Sequence, residues 1–254
     1  MPSFAQSIVM RSTLIFEIEN PSQFAAKLLS WCSQYQEASY LNSNVGSSPF
    51  SKNNSYDLLV AFESLTEINL NSGKGFEHLK TFYEDKKDWL FGYLAFDLKN
   101  EIEQLTSKNQ DHLHFPELHF FQPRYVISIV GHAVKVYYLS SLDSIDDINL
   151  LVEKISKTSV TNEKTPITKA IIETKVSREN YLNAVGEIKK HIQRGDIYEM
   201  NYCVEFFIAS ISLNPVKIYT ALNSLSQTPF SCLYRNKTHY LMCASPERFL
   251  KKEG

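Results

Sequence analysis

The sequence predicts a mixed α+β protein, built as one large domain or as one domain with an added lobe. Three observations carry this: alternating apolar and polar runs recur along the chain, two helices open on Asn-Pro pairs, and two strand pairs are joined by tight turns. Residues 13–19 alternate as a strand. Asn20-Pro21 then supplies an N-cap and a first-turn proline for a helix carrying Phe24, Leu28, Leu29 and Cys32. Residues 56–63 and 88–97 are strand-like, with a helical stretch at 78–83 between them; the run DWLFGYLAFD is apolar on both faces, which places it centrally in a sheet. Residues 98–123 mix charge, proline and aromatics without a period and read as a loop anchored by Phe115, Phe120 and Phe121. A hairpin over 124–139 turns at Gly131-His132, and a short helix covers 146–154.

The polar stretch 157–177 is the best boundary in the chain, giving 1–158 as an N-terminal lobe, 159–176 as a linker and 177–254 as the start of a second domain. Residues 178–193 place Tyr181, Ala184, Val185, Ile188 and Ile192 on one helical face, ended by Gly195. Residues 198–208 alternate as a long strand, with Glu199, Asn201, Cys203 and Glu205 on the face opposite Tyr198, Met200 and Tyr202. Asn214-Pro215 starts a further helix, and strands over 230–235 and 239–245 follow.

Composition narrows the function. At 254 residues, 43% hydrophobic and a net charge of −2, the chain has the makings of a globular core and no basic surface. No stretch interleaves aromatics with Lys and Arg as a nucleic-acid groove does, so no nucleic-acid partner is expected. No apolar run approaches the roughly 18 residues of a membrane span, so no membrane association is expected. The four cysteines form no CxxC and match no histidine spacing; they read as free thiols in a reducing, cytoplasmic setting. His112, His114 and His119 lack a sharp ligand spacing and read as surface residues, and no Gly-rich phosphate cradle occurs.

Ser245-Pro246-Glu247 stands out as chemistry. Proline fixes φ and removes a donor at the end of an apolar strand, which aims Glu247 in one direction beside Met242 and Cys243, where partial desolvation would raise its pKa. A carboxyl raised in this way is suited to proton donation near neutral pH. The plainer reading is a turn glutamate or a surface pair with Arg248.

In order, the motifs are Gly195-Asp196-Ile197-Tyr198, a long strand, the Asn-Pro helix, Thr228-Pro229-Phe230-Ser231, a hairpin, and Ser245-Pro246-Glu247-Arg248-Phe249-Leu250. The sequence thereby resembles the chorismate-utilising enzymes, most of all component I of aminodeoxychorismate synthase, the para-aminobenzoate synthase large subunit. WLFGYLAFDLKNEIEQL, FPELHFFQP and YLNSN extend the resemblance through the N-terminal half.

The resemblance implies an α+β fold of the anthranilate synthase type, with mostly antiparallel sheets, flanking helices and an incomplete second domain. It implies that Glu247 is a general acid near the C4 hydroxyl of chorismate. Glu199 falls where isochorismate-forming members carry a lysine, which argues against isochorismate synthesis; its plainer reading is a polar residue on an open strand face. An amino-acid effector pocket is implied at Leu41-Asn42-Ser43 and at Thr228, Pro229 and Phe230, with tryptophan as the candidate ligand. Asn42 departs from the glutamate of anthranilate synthases, and core packing is the alternative reading of these residues. The resemblance further implies Mg2+, with its glutamate ligands expected beyond Gly254, and ammonia from a glutamine amidotransferase subunit. The expectation is thus an N-terminal part of an aminodeoxychorismate synthase, inactive alone. The alternatives are anthranilate synthase component I and a non-catalytic module that binds an aromatic amino acid or the amidotransferase.

Overall fold

The computed structural model describes residues 10–45, 55–71, 73–103, 105–106, 109–160, 170–209 and 211–252. Two compact units divide the chain, Met1–Thr161 with Asn214–Gly254, and Asn162–Leu213. The first is built on an eight-stranded sheet made of β1 (Ser12–Glu17), β2 (Glu37–Asn42), β3 (Leu58–Leu70), β4 (Phe91–Leu94), β5 (Leu118–Val130), β6 (Ala133–Tyr138), and β9 (Phe230–Asn236) and β10 (His239–Ser245) from the far end of the chain. The order is β1-β6-β5-β3-β2-β9-β10, with β4 on β5, and every pairing is antiparallel. The sequence expectation of an α+β fold with antiparallel strands and flanking helices holds. The expected division at 159–176 set 177–254 apart as one segment, whereas pairing of β9 with β2 ties 214–254 to the first unit.

Helices α1 (Pro21–Cys32), α3 (Ile145–Lys157) and α5 (Pro215–Leu225) cover one face of this sheet; α2 (Gly75–Lys86) also belongs to the unit. Period 2 on the strands and 3.6 on the helices bring Val60, Phe62, Ile127 and Val136 against Leu28, Ile148, Ile155 and Tyr219. The two Asn-Pro helix starts are those the sequence announces, whereas the helix expected at 78–83 begins at Gly75 and the one expected at 146–154 runs over Ile145–Lys157. Asn20 accepts a hydrogen bond from the Gln23 amide at 3.0 Å and Asn214 one from the Lys217 amide at 3.1 Å, while Ser144 and Asp147 form a reciprocal capping box.

The other sheet face gathers Ala61, Phe121, Val126 and Tyr234 with Trp89, Phe91, Tyr93, Cys232 and Leu241. This aromatic layer corrects the reading of DWLFGYLAFD. Its strand is four residues long and among the described residues pairs with β5 alone, and the run is apolar because Trp89, Phe91 and Tyr93 face this layer while Phe96 is 81% exposed. Gly92 is required here, since a Cβ would stand 2.1 Å from the His119 carbonyl oxygen and 2.4 Å from the Phe120 ring. Gly92→Ala is therefore expected to cost about 1–3 kcal/mol or more through overpacking, read as a lowered urea midpoint at unchanged slope; an unshifted midpoint contradicts the close approach.

The loop expected at 98–123 is shorter than that. Phe96–Glu101 forms a 3-10 turn and β5 begins at Leu118. Pro123 concealed the strand, because proline cannot donate to a ladder. It is tolerated because it stands opposite Ser64 where β3 carries a bulge between Ser64 and Thr66.

The second unit contains α4 (Arg178–Arg194), capped by the Ser177 side chain and ended by Gly195 at φ 81°, and the two-residue strands β7 (Glu173–Thr174) and β8 (Phe206–Phe207). The helix forms as expected, yet none of its residues is buried. The long strand expected over 198–208 is reduced to β8; residues 198–205 are irregular, since a strand persists only where a partner supplies hydrogen bonds and β7 offers two residues.

Candidate functional site

The two halves of the implied effector pocket meet through strand register. Pairing of Asn42 with Ser231 and of Leu41 with Cys232 lays the end of β2 beside the start of β9, so Ser43 comes alongside Phe230. Asn44, in the left-handed region at φ 46°, locks the junction: its Nδ2 donates to Asn223 Oδ1 on α5 and to the Thr228 carbonyl, both at 2.8 Å. Leu41, Asn42, Ser43, Tyr56, Pro229, Phe230, Ser231 and Arg248 line one cavity of about 440 Å3.

Within it, Ser43 is buried and its hydroxyl donates to the Tyr56 carbonyl at 2.6 Å, which leaves its oxygen as an acceptor. Thr228 is not among the lining residues; its Oγ1 is buried with no hydrogen-bond partner among the described residues. The Arg248 guanidinium lies 5.0 Å from the Phe230 ring centroid and brings a cation to an otherwise uncharged lining.

Glu247 is placed differently from expectation. It is exposed rather than desolvated beside Met242 and Cys243. β10 is an edge strand ending at Ser245, whose hydroxyl donates to the Glu247 carbonyl at 3.0 Å, and this turn carries the carboxylate off the sheet. Glu199 is also exposed and lies in the irregular segment of the second unit instead of on a strand face. Among the described residues no three His, Cys, Asp or Glu side chains meet in a group able to hold a metal ion.

His119 was misplaced by sequence reasoning. It belongs to β5, is fully buried, and sits with Nδ1 2.5 Å from Tyr234 Oη and Nε2 3.2 Å from Glu67 Oε2. Burial holds its pKa below the usual histidine value, more than offsetting the pull of Glu67. A neutral ring whose Nε2–H donates to the Glu67 carboxylate must accept at Nδ1, so the Tyr234 hydroxyl is the donor there. Glu67 is in turn held below the carboxylate range because hydrogen bonds from Lys237, at 2.6 Å, and His119 outweigh its burial. The signal was present in the aromatic-rich run LHFF, which has strand propensity, but Pro123 hid it. His112 and His114 are exposed, as expected.

A mostly antiparallel sheet flanked by helices is the fold that the comparison with solved structures matches. The chorismate binding enzyme family matches residues 33–254, and the chain belongs to that family. It is 28% identical over 171 residues to an anthranilate synthase component I-like protein of Synechocystis sp., covering 65% of this chain and 34% of that protein. It is 22% identical over 184 residues to aminodeoxychorismate synthase component 1 of Bacillus subtilis, covering 68% of this chain and 38% of that protein. The fold matches anthranilate synthase component I of Streptococcus pneumoniae TIGR4 with a TM-score of 0.58 at 15% identity, over 74% of this chain and 50% of that one. The chain thus spans little more than a third of the length of these curated relatives. Among the described residues no helix is long and apolar enough to cross a membrane.

Proposed function

We propose that this chain is the N-terminal part of an aminodeoxychorismate synthase component I, which exchanges the C4 hydroxyl of chorismate for an amine. In this reading the ammonia comes from a glutamine amidotransferase partner, and Mg2+ is held by residues outside this chain. The observation that carries it is the convergence of Ser43, Pro229 and Phe230 on one cavity with Arg248, the neighbour of Glu247. The cavity suits a zwitterion with an apolar body: Ser43 Oγ accepts from an ammonium, Arg248 pairs with a carboxylate, and Leu41, Pro229 and Phe230 cover the side chain. Tryptophan has these parts. Glu247 is exposed and does not line this cavity.

Anthranilate synthase is the second reading, favoured by the name of the Synechocystis relative. Asn42 departs from the glutamate that anthranilate synthases carry before the serine.

Calorimetric titration of the 254-residue chain is expected to give heat with tryptophan and no turnover of chorismate with Mg2+ and ammonium. Turnover by this chain contradicts the reading as a part, and no heat with tryptophan removes the effector pocket. The full-length gene product with its amidotransferase is expected to release the 4-amino compound; anthranilate fluorescence in its place selects the second reading.

A further inference from the structure

We propose that Cys232 and Cys243 are a redox modification site, which hydroperoxides oxidise to a reversible cross-strand disulfide. The two residues are direct partners in the antiparallel ladder of β9 and β10. Opposed residues present their side chains on the same sheet face with Cα atoms about 4.5–5.5 Å apart, inside the roughly 4.4–6.8 Å that a disulfide spans. Among the described residues β10 is paired on one side only, so the small shift that bond geometry demands meets little resistance.

Access and reactivity agree with this placement. Neither residue is fully buried, and Cys232 lines both the 440 Å3 cavity and a second one of about 360 Å3 on the aromatic face. The Cys243 thiol donates to the Phe230 carbonyl at 3.4 Å, which keeps its sulfur at the pair. Hydrogen bonding from the Cys232 thiol draws Cys243 down to about 7 despite burial, helped by the Ser245 amide, and the same contact with burial pushes Cys232 well above the usual thiol value. One member is therefore a nucleophile and the other the resolving thiol that follows.

The chemistry balances. Cys243 sulfur attacks one peroxide oxygen; the S–O bond forms, the O–O bond breaks and the other oxygen leaves as water, or as an alcohol from an organic peroxide. Cys232 sulfur then attacks the sulfenic sulfur, the S–S bond forms and a second water leaves. Two thiols lose two electrons in total, and the peroxide accepts them. A low-molecular-weight thiol reverses the bond by exchange.

The test is peptide mapping of the reduced wild-type chain after limited hydrogen peroxide, with alkylation in denaturant. Trypsin cuts between the two cysteines at Arg235 and Lys237, so the disulfide joins peptides 218–235 and 238–248. The expected result is loss of two of the four alkylatable thiols, the linked pair as the main oxidised species, and full recovery with dithiothreitol. Cys243→Ser is expected to leave Cys232 alkylated after the same treatment. Alkylation of both residues in oxidised wild type, or linkage mainly through the exposed Cys203, overturns the proposal.

Discussion

Glu247→Gln in the full-length enzyme is expected to lower kcat by about 10²- to 10⁴-fold with little change in KM, the range a positioned general acid supplies. Under the proposed amination at C4 the leaving group would otherwise depart as hydroxide, and an amide cannot deliver the proton that prevents this. Pro246 fixes the backbone and the Ser245 hydroxyl closes the turn onto the Glu247 carbonyl, so the position of the residue is set by the turn while its carboxyl stays exposed. Steady-state kinetics with purified amidotransferase and saturating glutamine give the two constants separately. A Gln variant with unchanged kcat ends the general-acid role, and one that raises KM alone makes Glu247 a binding residue.

The second large effect concerns stability. Arg11→Ala is expected to destabilise the first unit by about 3–5 kcal/mol, the cost of leaving a buried charge without its partner. The Arg11 and Asp88 side chains are 4% and 2% exposed. Arg11 Nε and Nη2 donate to the two Asp88 oxygens at 2.8 and 2.7 Å, and its other protons reach the carbonyls of Pro123, Arg124 and Tyr137. Gln122 donates to Asp88 at 2.7 Å. One side chain thus ties the start of β1 to β5, β6 and the approach to β4. Replacing the pair by Met and Leu is expected to recover only part of the loss, because three carbonyls still lose a donor. Urea midpoints of the wild type and the two variants decide this; an Arg11→Ala midpoint equal to the wild type refutes it.

The same pair sets a pH dependence. Burial alone raises the Asp88 carboxyl, but hydrogen bonds from Arg11 and Gln122 and the Arg11 charge outweigh it and hold the pKa below the ordinary aspartate value. A depressed folded pKa means that the contribution is complete above the unfolded value of about 3.9 and is lost as pH falls through the lower folded value. Arg11→Ala is therefore expected to flatten the acid limb of the stability curve, measured by urea unfolding from neutral pH downward. An unchanged acid limb contradicts the linkage.

Local signals were legible where the chain interacts with itself at short range. Asn20, Asn214 and Gly195 mark helix ends because caps depend on the next few residues, and Gly131 marks its hairpin for the same reason. The candidate pocket was legible only through resemblance, since no local rule says that Ser43 and Phe230 adjoin. Among the readings that failed, two show how tertiary partners override pattern. Residues 198–205 alternate like a strand but find little to pair with, and Pro123 sits in a strand because a bulge on the neighbour removes the need for its missing donor.

The order of amino acids by itself determined the α+β class, the Asn-capped helix starts, the Gly195 helix end and the Ser-Pro-Glu turn, all of which follow from short-range sterics and hydrophobic period. Only the folded chain decided that β9 lies on β2, that His119 is a buried neutral link between Tyr234 and Glu67, that Glu247 stands in solvent and that Cys232 faces Cys243. Strand register and burial are properties of residues distant in sequence, and their energies exist only once those residues share a core.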